Sequence, residues 1–137
     1  MTDGRWNFIS SLAIVSGALA WLVKSATIFA STGEETDSGV PAMFYVLGLL
    51  LMAGAMAGIA VGLTRNRPMI ARIFAGLSAA AAFVATFLAL DFLVRPLVPG
   101  NWPAYVGDEV SIVLTAAAWL AIGLGLMFKS RRVARLA

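Results

Sequence analysis

Residues 41–63 read PAMFYVLGLLLMAGAMAGIAVGL and carry no charge at all. An α-helix needs roughly 20 apolar residues to cross the hydrocarbon of a bilayer, and this stretch has them. Lipid supplies no hydrogen-bond partners, so a spanning segment must satisfy its own backbone N–H and C=O groups, which a helix does. Strands of a membrane barrel are shorter and alternate between apolar and polar residues, and this stretch does neither. The segment reads as a transmembrane helix.

Three further segments share its character. Residues 8–30 are apolar except for Lys24, residues 73–94 except for Asp91, and residues 110–128 are uncharged. Of the 137 residues 61% are hydrophobic and only 12% charged, with a mean hydropathy of +0.90. A soluble domain is about half apolar and about a quarter charged, and one this small must show water much of its surface. The excess is resolved if lipid is the solvent. Composition and spacing therefore predict an all-α integral membrane four-helix bundle, with residues 1–137 as one transmembrane domain.

Orientation follows from the basic residues. Arg5, Arg65, Arg67, Arg72, Lys129, Arg131, Arg132 and Arg135 fall on one side, which is eight of the ten Lys and Arg. The other side has Arg95, with Glu34, Glu35, Asp37, Asp108 and Glu109. By the positive-inside rule both termini are cytoplasmic, in a plasma or inner membrane. The first span is longer than an ordinary signal-peptide core and is preceded only by Asp3 and Arg5 among charges, so it reads as a retained helix. The calculated pI near 10 reflects these topology signals, and no nucleic-acid partner is expected. Lys129, Arg131, Arg132 and Arg135 act first as a topology lock; each could also attract anionic lipid by about 1 kcal/mol.

The chain has no cysteine and no histidine. Disulfides, thiolate chemistry, Cys/His zinc sites, His- or Cys-held haem and histidine switches are excluded with them. No nucleophile–base spacing or phosphate-binding glycine loop occurs. The acidic residues are split between two loops without an EF-hand pattern. No metal, no cofactor and no catalysis are expected.

The two outer loops differ. Residues 31–40 are acidic and rich in Ser, Thr and Gly, which suits a solvated connection. Residues 95–107 hold Pro96, Pro99 and Pro103, which forbid one continuous helix, and Trp102 and Tyr105, which suit the headgroup level. Within the membrane, Gly54, Gly58 and Gly62 recur every four residues and predict a close-packing helix face, within the chain or between subunits. Ser10, Gly17 and Lys24 recur at seven, with Ala13, Ala20 and Thr27 between them, and predict a second seam. The offset that lays Lys24 on Asp91 gives poor side-chain identity, so no internal repeat is read.

Lys24 and Asp91 are the charges that lipid disfavours. Lys24 lies about 10 Å inward of Ser31 at the helical rise of about 1.5 Å per residue, and Asp91 lies one turn inside Arg95. Both fall in the outer third of the membrane, where ionisable residues are candidates for function. Three arrangements are open. Opposite charges at equal depth invite a structural Lys24–Asp91 pair between the first and third spans. Alternatively Lys24 snorkels to the headgroups while Asp91 pairs with Arg95 at i+4. In the third, the two mark a transport site whose vestibule is lined by Arg95, Asp108, Glu109, Ser111 and Thr115.

The positions of Lys24 late in the first span, Arg72 before the third and Glu109 opening the fourth resemble, in outline, the layout of DoxX-type four-helix proteins. These are three scattered residues without a shared motif, and no redox role or cofactor is carried over from them. The inner halves of the spans offer only Ser10, Ser11, Ser16, Ser78 and Thr86 as polar groups, so no charged relay crosses one chain. The expectation is a structural or accessory subunit of a larger membrane assembly, in contact with lipid and with other membrane subunits or copies of itself. The alternative is a homo-oligomeric carrier or channel for a small solute or ion, with its site around Lys24 and Asp91.

Overall fold

Four apolar helices account for nearly all of the backbone. A computed structural model describes residues 2–34 and 39–136; the expected solvated loop at Glu35 and Asp37 lies outside them. The helices are α1 (Thr2–Ala30), α2 (Gly39–Leu63), α3 (Met69–Val94) and α4 (Ala104–Leu136), with a 3-10 turn at Arg95–Leu97. All four are long and apolar enough to cross a membrane.

Local chemistry sets the ends. At the close of α1, the Gly33 N–H bonds the Ile28 carbonyl at 2.9 Å and the Thr32 N–H bonds that of Phe29 at 3.2 Å. This is the pattern of a Schellman stop, with Thr32 (φ +54°) and Gly33 (φ +88°) in the left-handed region. Glycine is also needed at 33 for space, since a Cβ there would sit 2.5 Å from Tyr105 Cδ1. Pro68 precedes α3 with an extended backbone (ψ 150°), and Pro96, Pro99 and Pro103 keep α3 and α4 apart.

Helix α4 begins at Ala104 and runs to Leu136, beyond the expected span 110–128 at both ends. Hydropathy marks what lipid will accept, whereas the helix continues wherever backbone bonding does. Tyr105, Asp108 and Glu109 are therefore helical, and so are Lys129, Arg131, Arg132 and Arg135. Arg131 lies 5.9 Å from the centre of the Phe8 ring, so the basic extension is in contact with the start of α1.

The helices pack in a ring, α1 on α2, α2 on α3, α3 on α4 and α4 on α1, and each pair is antiparallel. Both ends of the described chain thus lie at one end of the bundle with the arginines of the α2–α3 connection. This is the basic end; the 95–103 connection is at the other. Helix α1 is the most enclosed. Ser10, Ser11, Ile14, Gly17, Ala18, Trp21, Lys24, Ser25 and Ile28 are all buried and follow the three-to-four spacing of one helical face. The expected seam of Ser10, Gly17 and Lys24 is part of it.

Trp21 is the centre of the core and is fully buried. Its ring stacks on Tyr45 at 5.5 Å with an interplanar angle of 3° and tilts against Phe87 at 4.8 Å. Its indole N–H donates to the Tyr45 carbonyl at 2.8 Å. Phe83 and Trp119 meet edge to face at 5.4 Å across the seam between α3 and α4, the loosest of the four.

The glycine face read from residues 54, 58 and 62 is not one surface. A Cβ at Gly54 would meet nothing within 4 Å, whereas Gly58 and Gly62 lie under the Trp6 ring. The tight contact between α1 and α2 is at Gly17 and Gly48. A Cβ at Gly48 would fall 2.2 Å from Trp21 Cδ1 and 2.8 Å from the Gly17 carbonyl. Regular spacing showed which glycines share a side of α2, but the aromatic ring seated on α1 determines where a missing side chain is used. Gly48→Ala is expected to destabilise the protein by about 1–3 kcal/mol through overpacking. Gly54→Ala should stay within about 1 kcal/mol of the parent. Unfolding in mixed micelles measures both, and a matching loss at Gly54 would mean that Gly54 is covered by another chain.

Candidate functional site

The site lies near the connection 95–103 and is assembled from all four helices and one turn. Helix α1 brings Lys24 and Ser25, neighbours in sequence that are 8% and 2% exposed. Helix α4 supplies Glu109, also 2% exposed. The Lys24 ammonium donates to Glu109 Oε1 in a buried ion pair. The Ser25 hydroxyl donates to Glu109 Oε2 at 2.7 Å. Both carboxylate oxygens are therefore occupied. The ammonium also lies 5.5 Å from the centre of the Tyr45 ring, whose π-face favours a cation.

A second group adjoins it on the α3 side. Asp91 accepts from the Ser111 hydroxyl through Oδ1 and from Arg95 Nη2 at 3.3 Å through Oδ2. Arg95 reaches on to Asp108 Oδ1 at 3.2 Å. Successive helix residues turn by about 100°, so Glu109 and Ser111 leave α4 on nearly opposite sides. One faces α1 and the other α3, which gives α4 a hand in both groups. Thr115 is one turn below Ser111; its hydroxyl is buried and has no hydrogen-bond partner.

The Lys24–Asp91 pair is thereby corrected: Lys24 pairs with Glu109, and Asp91 with Arg95. Equal depth is necessary for such a pair, but so is adjacency, and α1 and α3 are opposite one another in the ring. Their backbones make no contact. Lys24 does not extend out of the bundle, since its side chain is only 10% exposed. The i+4 pairing of Asp91 with Arg95 is present. Of the expected vestibule residues, Arg95, Asp108 and Ser111 join the Asp91 group, Glu109 joins Lys24, and Thr115 stands below.

Ser25 and Tyr45 were missed. A hydroxyl beside Lys24 on the buried stripe of α1 was a usable signal for Ser25; nothing in the sequence pointed to Tyr45. Tyr105, read as an interfacial anchor, is half-buried and meets Phe29 edge to face at 5.9 Å, while Trp102 remains 49% exposed. Lys129, Arg131, Arg132 and Arg135 are exposed at the far end of the bundle. Among the described residues no three His, Cys, Asp or Glu side chains converge as a metal site. Comparisons with protein families, with curated proteins and with solved structures return no match.

The arrangement holds charge without leaving it unpaired. Removing one member of a buried pair costs about 3–5 kcal/mol, because the other remains desolvated and alone. Lys24→Met is expected to lose stability on that scale, and the double change Lys24→Met, Glu109→Leu to recover most of it. Asp91→Asn should affect stability additively with Lys24→Met, since the two residues belong to different groups. Equilibrium unfolding in bicelles reads all four proteins. A neutral Lys24→Met would sink the pair.

Proposed function

We propose that the chain is a structural subunit of a larger membrane assembly, without catalytic chemistry of its own. The observation that carries this reading is the engagement of both carboxylates, Glu109 and Asp91, by groups of the same chain. Glu109 has both oxygens engaged within the chain, and so does Asp91. The bundle is then filled by Trp21, Met52, Phe83, Phe87, Ile112 and Ala116. A polar cluster that closes on itself above a packed apolar core suits a clamp on helix positions. It is poorly suited to exchanging a solute. In this reading the apolar faces of the helices meet lipid and neighbouring subunits, and little of the protein stands outside the membrane.

We further propose that the basic end faces the cytoplasm of a plasma or inner membrane, as the charge bias requires. Both termini then lie inside. A fluorescent protein fused after the tail should mature in the cytoplasm, and a periplasmic reporter enzyme inserted at Asn101 should be active. The reverse pattern would invert the orientation.

The second reading is a carrier built from several copies. It is favoured by the intramembrane ion pair itself, since ionisable groups at such depth are candidates for substrate or proton sites. Native mass spectrometry after mild extraction from the source membrane, with an affinity tag on the tail, separates the two. A stoichiometric complex with unrelated subunits is the expected result. A closed homo-oligomer with nothing else bound would overturn the structural reading. Solute flux in liposomes that is lost in the Lys24→Met, Glu109→Leu protein would then establish the carrier.

A further inference from the structure

The basic end of the bundle holds a cleft of about 620 Å³, within the roughly 300–1,000 Å³ range of small-ligand sites. It lies where the start of α1, the end of α2, the α2–α3 connection and the first turn of α3 converge. Among the described residues its polar groups are the guanidiniums of Arg65 and Arg72 and the amides of Asn7 and Asn66, and none of these lining residues is acidic. One wall is the Trp6 ring, held by its indole N–H on the Gly58 carbonyl at 2.8 Å and lying over Gly62. The small size of these two glycines is what lets the N–H edge of the ring come close to α2.

Arg72 gives the cleft its chemical direction. Its Nε is buried and has no hydrogen-bond partner. An arginine donor withdrawn from water without an acceptor is costly, and more so for a charged group. Helix α3 also begins here without a side-chain cap, so its first N–H groups and the positive end of its dipole add to the same field. The described lining offers the Arg72 guanidinium no anionic acceptor, and the terminal nitrogens of a guanidinium fork match the oxygens of a phosphate.

The surroundings of the cleft point to lipid as the source of that phosphate. Ile59, Val61 and Leu63 form part of the lining. Leu63, Met69 and Ile70 are 83%, 74% and 69% exposed around the same helix ends, a surface on which acyl chains can lie. A soluble phosphate would use the arginines and leave these apolar walls without a role. We propose that the cleft binds the headgroup of an anionic phospholipid, with its phosphate on Arg72 and its chains along the ends of α2 and α3. This site differs from the attraction of exposed tail residues to a charged surface, because it specifies one lipid in one place.

Native mass spectrometry of the full chain in detergent, titrated with dioleoylphosphatidylglycerol, tests it. One lipid should be retained per chain, in preference to dioleoylphosphatidylcholine. Arg72→Gln should weaken retention roughly tenfold, the scale of one charge-assisted hydrogen bond. Arg132→Gln, which makes the same charge change on the exposed tail, should leave retention unchanged. Arg72→Lys keeps the charge but loses the fork, and should fall between the parent and Arg72→Gln. Arg65→Gln provides an independent variant if Arg72→Gln does not stay folded, as judged by its thermal unfolding, and should also weaken retention. Equal retention of the two lipids, or equal losses at Arg72 and Arg132, would overturn the site. Displacement of the lipid by millimolar inorganic phosphate would overturn the assignment to lipid and leave a free-anion site.

Discussion

A lysine ammonium removed from water inside a membrane must meet an anion at its own depth and on a neighbouring helix. In this protein that requirement joins α1 to α4, the first helix to the last, and so closes the ring that the three short connections leave open. Lys24 and Glu109 are separated by most of the chain, yet their contact sets the relative rotation of both helices. With α1 turned to present Lys24 and Ser25 to α4, Trp21 one turn below must point into the bundle. The indole then occupies the space that Gly48 leaves on α2. Polar pairing near one end and aromatic packing in the middle are thus consequences of a single orientation of α1.

The polar groups on α4 divide between two neighbours because they are spaced two residues apart. Glu109 serves α1, while Ser111 serves Asp91 on α3. Arg95, in the turn after α3, is shared between Asp91 and the more exposed Asp108. The result is a gradient from a buried pair to a half-exposed one, which follows the falling cost of charge toward the interface. At the opposite end the bundle opens into a cleft, and none of the described residues that line it with Arg72 is acidic. The two ends therefore treat charge differently: one closes it within the protein, and the other holds it at the rim of an open cleft.

The membrane-spanning character and the number of helices were legible in the sequence, because hydropathy over a long segment reports the solvent that segment can accept. Residues 41–63 showed this without any reference to contacts. The buried stripe through Ser10, Gly17 and Lys24 was legible too, since helical periodicity alone places those residues together. The ends of α4 were not. Asp108 and Glu109 discourage an apolar span, but the helix requires only continuous backbone bonding from Pro103 onward. The glycines show the same limit, as spacing identified a side of α2 without identifying the ring that covers it.

What the sequence by itself determined was a set of one-dimensional properties: four apolar helices, a strong charge asymmetry between their connections, and two ionisable residues at similar depth in the spans. Each depends on composition along the chain and on the solvent around it. The tertiary structure decided which groups meet. Lys24 could have reached any anion at its level, and the sequence holds Asp91 and Glu109 at nearly the same level. Only the cyclic order of the helices selects between them, because that order puts α4 beside α1 and α3 across from it. The cleft at the basic end has the same origin: Trp6, Arg65 and Arg72 lie on separate elements, and a shared space exists only once those elements pack.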